Sequence, residues 1–147
     1  MKPLALLLAV LLLAGCASAP RAPEPTPGQQ IVGSALAQVG RPYRYGGSTP
    51  EGFDCSGLVR FAYLAAGISV PRTTSEQYRA AHAVRMGRLV PGDLLFFRLD
   101  GREVSHVAIY AGDGRFVHAP QTGKAVETRQ LDDAYYRTRL VSAGRLY

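Results

Sequence analysis

The apolar pattern of the chain changes its period at Pro91-Gly92-Asp93, and this change limits the folds that are possible. Before that point, Ile31 to Val39 carries apolar residues at helical spacing, and a second periodic stretch begins at Cys55. After it, short β-branched or aromatic segments are separated by turn-forming pairs such as Asp113-Gly114. The sequence therefore predicts an α+β fold, with N-terminal helices packed on an antiparallel sheet of about five strands.

The predicted helices have recognisable ends, and the strands follow one another as a meander. Gly67 is expected to end the helix that Cys55 opens, and Thr73 with Glu76 has capping-box spacing for a short helix through about Ala81. His82, among alanines in the next connection, is expected to be solvated. The predicted strands are Leu94–Arg98, Val104–Tyr110, Arg115–Ala119, Ala125–Thr128 and Leu140–Leu146.

The N-terminus has the features of an export signal. Lys2 is followed by an apolar run, Leu4 to Leu13, which is too short to span a bilayer. The run ends in Leu13-Ala14-Gly15-Cys16, which resembles the lipobox of bacterial lipoproteins. The resemblance implies a signal peptide over residues 1–15 and lipid on Cys16 that anchors the chain to a membrane. An ordinary secretory signal peptide is the alternative.

Residue 17 is Ala rather than Asp. By analogy with lipoprotein sorting this implies the periplasmic face of the outer membrane, if the host is Gram-negative. Residues 16–29 contain Pro20, Pro23, Pro25 and Pro27, so we expect an extended tether of polyproline character. The chain of 147 residues then leaves one domain, residues 30–147.

The formal net charge is +6, from 17 basic and 11 acidic residues. The arginines are scattered and form no block or helical stripe, so nucleic acid is not a predicted partner. Anionic cell wall or lipid headgroups would be attracted by the same charge.

Cys55 is the candidate nucleophile. If Cys16 carries lipid, Cys55 has no disulfide partner in the chain. At the start of a helix, unpaired N–H groups and the helix dipole favour a thiolate, which is the reactive form. The alternative is that Cys55 is a small buried apolar residue.

Two histidines supply the groups that such a nucleophile needs. His106 and His118 lie in adjacent predicted strands across one turn, and the register decides which face each points to. Cys55 would attack, His106 would act as base, His118 would orient His106, and the Cys55 N–H would help to stabilise an oxyanion. Alternatively, the histidines are half-buried structural residues, or the three side chains bind zinc. No metal-binding spacing is present, so no metal or other cofactor is predicted.

Several motifs together resemble the NlpC-type cell-wall peptidases, papain-like bacterial cysteine endopeptidases that cut peptidoglycan stem peptides. They lie in family order over almost the whole domain. They are Gly40-x-Pro42-Tyr43-x-Tyr45-Gly46-Gly47, Phe53-Asp54-Cys55-Ser56-Gly57-Leu58-Val59, Pro71-Arg72-Thr73 with Gln77, Pro91-Gly92-Asp93-Leu94, Ser105-His106-Val107-Ala108-Ile109-Tyr110 and Phe116-Val117-His118-Ala119.

The resemblance implies specific roles for the residues of these motifs. It makes Cys55 the nucleophile, His106 the base and His118 the orienting residue. Further roles follow for residues around them: Tyr43 would help to position the site or line the oxyanion region, Asp54 and Ser56 would contact substrate, and Tyr45, where many relatives have Trp, would form an aromatic wall. Arg72 and Arg44 are candidates for binding the extra carboxylate of diaminopimelate, or are surface charges.

The predicted function is hydrolysis of a stem-peptide amide through a thioester, at the diaminopimelate cross-link or the D-Glu–diaminopimelate bond. The alternatives are an acyl or amide transferase on the same scaffold, a non-catalytic wall-binding lipoprotein and a zinc hydrolase. The protein is expected to be a monomer, and the sequence identifies no regulatory protein. If Cys55 and His106 form a thiolate–imidazolium pair, activity should be bell-shaped in pH.

Overall fold

The computed structural model describes residues 22–147. The predicted signal peptide, lipidated Cys16 and the first part of the tether lie outside the described residues. Within residues 22–147, no helix combines the length and the apolar character that a membrane crossing requires.

The fold is mixed α+β, as predicted. The helices are α1 (Pro27–Leu36), α2 (Cys55–Ala65), α3 (Thr74–Ala80) and α4 (Ala134–Arg137), with a 3₁₀ turn at Met86–Arg88. The strands are β1 (Ser48–Thr49), β2 (Gly52–Phe53), β3 (His82–Val84), β4 (Leu94–Phe97), β5 (His106–Gly112), β6 (Arg115–His118), β7 (Glu127–Gln130) and β8 (Leu140–Arg145).

The main sheet has six antiparallel strands in the order β3-β8-β4-β5-β6-β7, which corrects the prediction of about five strands in a meander. Strand β3 was missed because His82-Ala83-Val84 is short and has no apolar alternation; it is a largely exposed edge strand, not the predicted connection. Only β4 to β7 form a meander. Strand β8 returns to the other side of β4, whose four residues are all buried and therefore need partners on both edges.

Each face of the sheet covers a separate apolar cluster. Helices α1 and α2 pack on the face that carries Leu94, Phe96 and Val107. The opposite face carries Leu95, Phe97, Ala108, Phe116 and Ala143, together with Tyr136 from α4. The N-terminal helices therefore cover one face, as predicted. The second face is covered by the short helix α4, which no sequence pattern predicted.

The first helix begins earlier than the predicted domain start at residue 30. Helix α1 starts at Pro27, because Thr26 and Gln29 form a capping box and proline is well suited to the first helical position. The last residues assigned to the extended tether are therefore helical. The capping box of Thr73 and Glu76 is confirmed at the start of α3.

A buried ion pair joins the end of the chain to the turn before β4. Both oxygens of Asp93, which is completely buried, accept from Arg145, at 2.6 and 2.9 Å. Asp93 also accepts from the N–H of Val90 at 2.9 Å. The Pro91-Gly92-Asp93 motif thus holds β8 and β4 in place, and through β4 it positions β5, which carries His106.

Candidate active site

Helix α2 begins at Cys55, as predicted, and Asp54 is its N-cap. Asp54 Oδ1 accepts from the N–H of Gly57 at 2.7 Å, and Oδ2 accepts from the N–H of Gly46 at 3.0 Å. Gly57 has no space for a larger side chain, because an added Cβ would lie 1.9 Å from the Gly47 carbonyl oxygen. These contacts fix the Gly46-Gly47 loop against the start of the helix and thereby fix Cys55.

The Cys55 thiol is enclosed by hydrogen-bond donors but is also desolvated. Its sulfur lies 3.4 Å from Thr74 Oγ1 and contacts the backbone N–H groups of Val107 and Ser56. Burial raises the pKa of Cys55, although these three contacts lower it. The net direction differs from the predicted resting thiolate, because desolvation outweighs the donors at the helix start.

The two catalytic-candidate histidines lie on the same face of the sheet. Val117 pairs with Ile109, so the alternation of side chains places His118 on the face of Ala108 and hence of His106. His106 Nε2 and His118 Nδ1 are 2.8 Å apart, and both residues are buried. The register question that the sequence left open is thus resolved in favour of a hydrogen-bonded pair.

The histidine pair is held in an aromatic environment. Phe97 packs on His106, and Phe116 and Tyr136 pack edge-on against His118, with ring centroids 5.0 to 5.9 Å apart. Burial lowers the pKa of His106 to about 3, and that of His118 to about 3 as well. Burial therefore favours neutral rings in the resting protein, and it favours a thiol with a neutral imidazole over the hypothesised thiolate–imidazolium pair.

Cys55, His106 and Tyr43 line one small cavity of about 170 Å³. Nε2 of His106 is engaged with His118, so Nδ1 is the nitrogen that remains for the thiol. The structure therefore brings together the predicted nucleophile and base, with Tyr43 beside them. Tyr43 is half-buried, and desolvation followed by the nearby Cys55 raises its pKa, so it is a neutral phenol.

A wider groove of about 480 Å³ opens on the other side of Cys55. Tyr45, whose side chain is largely exposed, lines part of this groove, and its predicted role as an aromatic wall for the substrate stays a prediction. Its lining residues are Tyr43, Tyr45, Gly46, Asp54, Cys55, Ser56, Arg72, Thr73, Thr74 and Ser105. Arg44 is exposed and is not among the lining residues.

Asp54, Ser56 and Arg72 form one polar network on the floor of this groove. Arg72 donates to both oxygens of Asp54, at 3.0 and 2.7 Å, and to Ser56 Oγ at 3.0 Å. Such a two-point pair is geometrically specific. The predicted substrate contacts of these residues stay a prediction, and much of their hydrogen-bonding capacity is used within the network.

Three residues of the site were missed from the sequence. Thr74 lies beside the Cys55 sulfur. It directly follows the Pro71-Arg72-Thr73 motif, and this position next to a motif is the sequence feature that could have indicated it. Gln77, quoted only as part of a motif, is buried and donates to the carbonyls of Ser56 and Pro71 at 3.1 and 2.8 Å, which ties α3 to α2. Glu127 pairs with His118 across β6 and β7, a register that no sequence pattern indicated.

No group of three or more His, Cys, Asp or Glu side chains within residues 22–147 is arranged to hold a metal ion. The contact between His106 and His118 is a hydrogen bond, whereas two zinc ligands would direct their nitrogens at one common point.

The profile of the NlpC/P60 family matches residues 40–145, which contain every candidate residue of the site just described. The chain belongs to the NlpC/P60 family. This agrees with the resemblance inferred from its motifs.

The chain is similar to NlpC/P60 relatives that are named as endopeptidases and to a solved structure of the family. It is 43% identical over 116 residues to the murein DD-endopeptidase MepH of Escherichia coli, covering 76% of this chain and 43% of MepH. It is 40% identical over 121 residues to the bifunctional muramidase/DL-endopeptidase CwlT of Bacillus subtilis, covering 80% and 36%. A crystal structure of an NlpC/P60 family protein from Bacillus cereus has a TM-score of 0.78 at 35% identity, covering 84% of this chain and 41% of that one. The chain thus spans less than half the length of these three proteins.

Proposed function

We propose that this NlpC/P60 chain is a cysteine endopeptidase that hydrolyses an amide bond in peptidoglycan stem peptides. The observation that carries the proposal is that Cys55, which lines an open groove, shares a small cavity with His106, and that His106 is hydrogen-bonded to His118. The names of the relatives, a DD-endopeptidase and a DL-endopeptidase, support the substrate class.

In the first half of the proposed reaction, the Cys55 thiol transfers its proton to Nδ1 of His106 as sulfur attacks the amide carbon. The donors around the sulfur, Thr74 and the Val107 N–H, favour the thiolate at that moment. The N–H of Cys55 donates to no other group among residues 22–147, so it is free to bind the developing oxyanion. The leaving amine takes the proton from His106, and a thioester remains.

In the second half, water enters and gives its proton to His106 while its oxygen attacks the thioester carbon. The carbon–sulfur bond breaks, and the proton on His106 returns to the Cys55 sulfur. The product leaves as a carboxylic acid, which loses its remaining proton to solvent, so water is the only co-reactant. The 480 Å³ groove is open enough for an extended peptide, and its network of Asp54 and Arg72 offers charged groups of both signs.

The test is a muropeptide analysis of diaminopimelate-type peptidoglycan treated with the soluble chain from Ala17 to Tyr147. Conversion of cross-linked dimers into tetrapeptide monomers would identify cross-link cleavage, and glycans bearing dipeptides would identify cutting after D-Glu. Cys55→Ala is the control and is expected to leave the profile unchanged. Identical profiles for the wild type and this variant would contradict the proposal, and a product carrying a new amine-linked acyl group would indicate a transferase.

We also propose that the chain acts as a lipoprotein, anchored through Cys16 at the periplasmic face of the outer membrane. The support is the sequence Leu13-Ala14-Gly15-Cys16 followed by Ala17. Cells fed an alkyne-tagged palmitate should label the wild type, and the Cys16→Ser variant should carry no label. Equal labelling of both proteins, or none of the wild type, would contradict the anchor.

A further inference from the structure

His118 presents a buried nitrogen that has no hydrogen-bond partner. Nδ1 of its ring is paired with His106, but Nε2 makes no hydrogen bond within residues 22–147, although the side chain is completely buried. Oε1 of Glu127 lies 3.5 Å from this nitrogen, at the position directly opposite His118 in the pairing of β6 with β7. A carboxylate therefore faces the completely buried nitrogen of the histidine pair that makes no hydrogen bond.

The histidine pair has two possible proton arrangements when both rings are neutral. In the first, Nε2–H of His106 donates to Nδ1 of His118, and His118 carries its proton on Nε2. In the second, Nδ1–H of His118 donates to Nε2 of His106, and His106 carries its proton on Nδ1. Only the first leaves a lone pair on His106 Nδ1, the nitrogen that must accept the proton of Cys55.

The charge of Glu127 distinguishes these two arrangements. In the first arrangement, the Glu127 carboxylate faces the Nε2–H of His118, and the interaction is attractive. In the second arrangement, the carboxylate faces the Nε2 lone pair of His118, and the interaction is repulsive. A separation of 3.5 Å is longer than a hydrogen bond, but the Coulomb interaction at this distance still differs in sign between the two arrangements; Glu127 is partly exposed and paired with Arg129, which reduces its size. We propose that Glu127 is a positioning residue that selects the tautomers in which His106 can act as base.

Arg129 has two effects on this arrangement. Its Nε donates to the same Glu127 oxygen at 2.8 Å and holds the carboxylate beside the ring, while its positive charge, after desolvation, lowers the pKa of His118 and opposes part of the attraction by Glu127. Tyr136 packs edge-on against the ring but makes no hydrogen bond with it, and Lys124 lines the cavity beyond Glu127. The proposal rests on the proposed peptidase function, in which His106 must accept a proton.

The first test reads the tautomers directly and requires no substrate. Nitrogen-15 NMR of the histidine-labelled protein at neutral pH is expected to find His106 and His118 both protonated on Nε2. In Glu127→Ala we expect the Nδ1–H forms to become populated, whereas Glu127→Gln, whose amide oxygen can still accept, should keep the wild-type tautomers. Identical tautomers in the wild type and Glu127→Ala would overturn the proposal.

The second test measures turnover of peptidoglycan by the same variants. Glu127→Ala should lower kcat roughly ten- to a hundredfold, because a smaller fraction of the molecules would hold His106 in the tautomer that accepts the proton, with KM little changed. Glu127→Gln should recover most of the loss. Asp132→Ala, which removes an exposed carboxylate shortly after β7, is the matched control and should behave as the wild type.

The outcomes separate this inference from the proposed function. If Glu127→Ala kept the kcat of the wild type while Cys55→Ala was inactive, the role of Glu127 would be overturned and the peptidase proposal would stand. If the wild type were as inactive as Cys55→Ala, the peptidase proposal would fail, and the NMR measurement would still decide whether Glu127 selects the tautomers. Thermal unfolding of each variant verifies that a loss of turnover is not a loss of fold.

Discussion

The sulfur of Cys55 is subject to opposing effects on its pKa. Desolvation raises the pKa, while the Thr74 hydroxyl and the N–H groups of Val107 and Ser56 lower it. A neutral resting thiol is less prone to oxidation than a thiolate, and the donors become effective once His106 has taken the proton. In the proposed reaction, this environment favours a nucleophile that is activated as it attacks rather than beforehand.

We expect the pH profile of Cys55 alkylation to lie at higher pH than that of free cysteine measured in parallel. The raised pKa lowers the thiolate fraction at each pH, and the thiolate is the form that reacts with iodoacetamide. Thr74→Val, which removes one donor, should shift the profile further upward. Ser75→Ala, whose hydroxyl instead accepts from Arg79, should not shift it. A wild-type profile below that of free cysteine would favour a resting thiolate–imidazolium pair.

Helix α1 approaches the turn before β4 most closely at Gly28. Gly28 is buried, and a Cβ added to it would lie 2.0 Å from the carbonyl oxygen of Pro91. The same turn is bound by Tyr63, which donates to the Gly92 carbonyl at 2.7 Å, and by Tyr147, which donates to the Pro91 carbonyl at 3.1 Å. The helix, the turn and the last residue of the chain therefore share one junction that supports β4.

Two glycines of α1 should respond in opposite ways to the same substitution. Gly28→Ala is expected to destabilise the protein by about 1–3 kcal/mol, because the backbone at Pro91 must move. A Cβ added at Gly33 would have no other atom within 4 Å, so Gly33→Ala should raise the free energy of unfolding by about 0.5–1 kcal/mol, because alanine replaces a glycine in the middle of a helix. Urea unfolding of both variants measures the difference. A change of the same sign in the two free energies of unfolding would contradict the close contact at Gly28.

At the scale of the whole molecule, one sheet serves two purposes. One face supports α1 and α2, which position Cys55, and the other face buries the histidine pair among aromatic side chains. Burying two imidazoles has a consequence for stability. Between pH 6.5 and about 3, the two histidines bind protons in the unfolded state but not in the folded state, because burial lowers both of their pKa values to about 3.

We therefore expect the free energy of unfolding to fall as the pH is lowered from about 6.5 towards 3. More protons are bound by the unfolded state in this window, so stability rises with pH, by up to about 1.4 kcal/mol per pH unit for each histidine. Urea unfolding at several pH values measures the slope. His118→Asn should reduce it, whereas the exposed-strand variant His82→Asn should not. An equal slope in all three proteins would contradict the assignment.

Most of the fold and the three central site residues could be predicted from local patterns. Helical spacing, the change of period at Pro91-Gly92-Asp93 and the turn pairs predicted the α+β class, and the motifs around Cys55, His106 and His118 indicated the family. What could not be predicted depends on long-range pairing. Strand β8 inserts beside β4 because a fully buried strand needs two partners, and no local pattern identifies which segment supplies the second.

The sequence by itself predicted which side chains would carry the chemistry, because Cys55, His106 and His118 lie in motifs that resemble those of the family. Only the tertiary structure decided their protonation and their support. Burial makes the thiol and the imidazoles neutral, and the register of β6 with β7 sets Glu127 against His118. Both effects arise from residues that are distant along the chain, and desolvation depends on everything that packs around a group rather than on its neighbours in sequence.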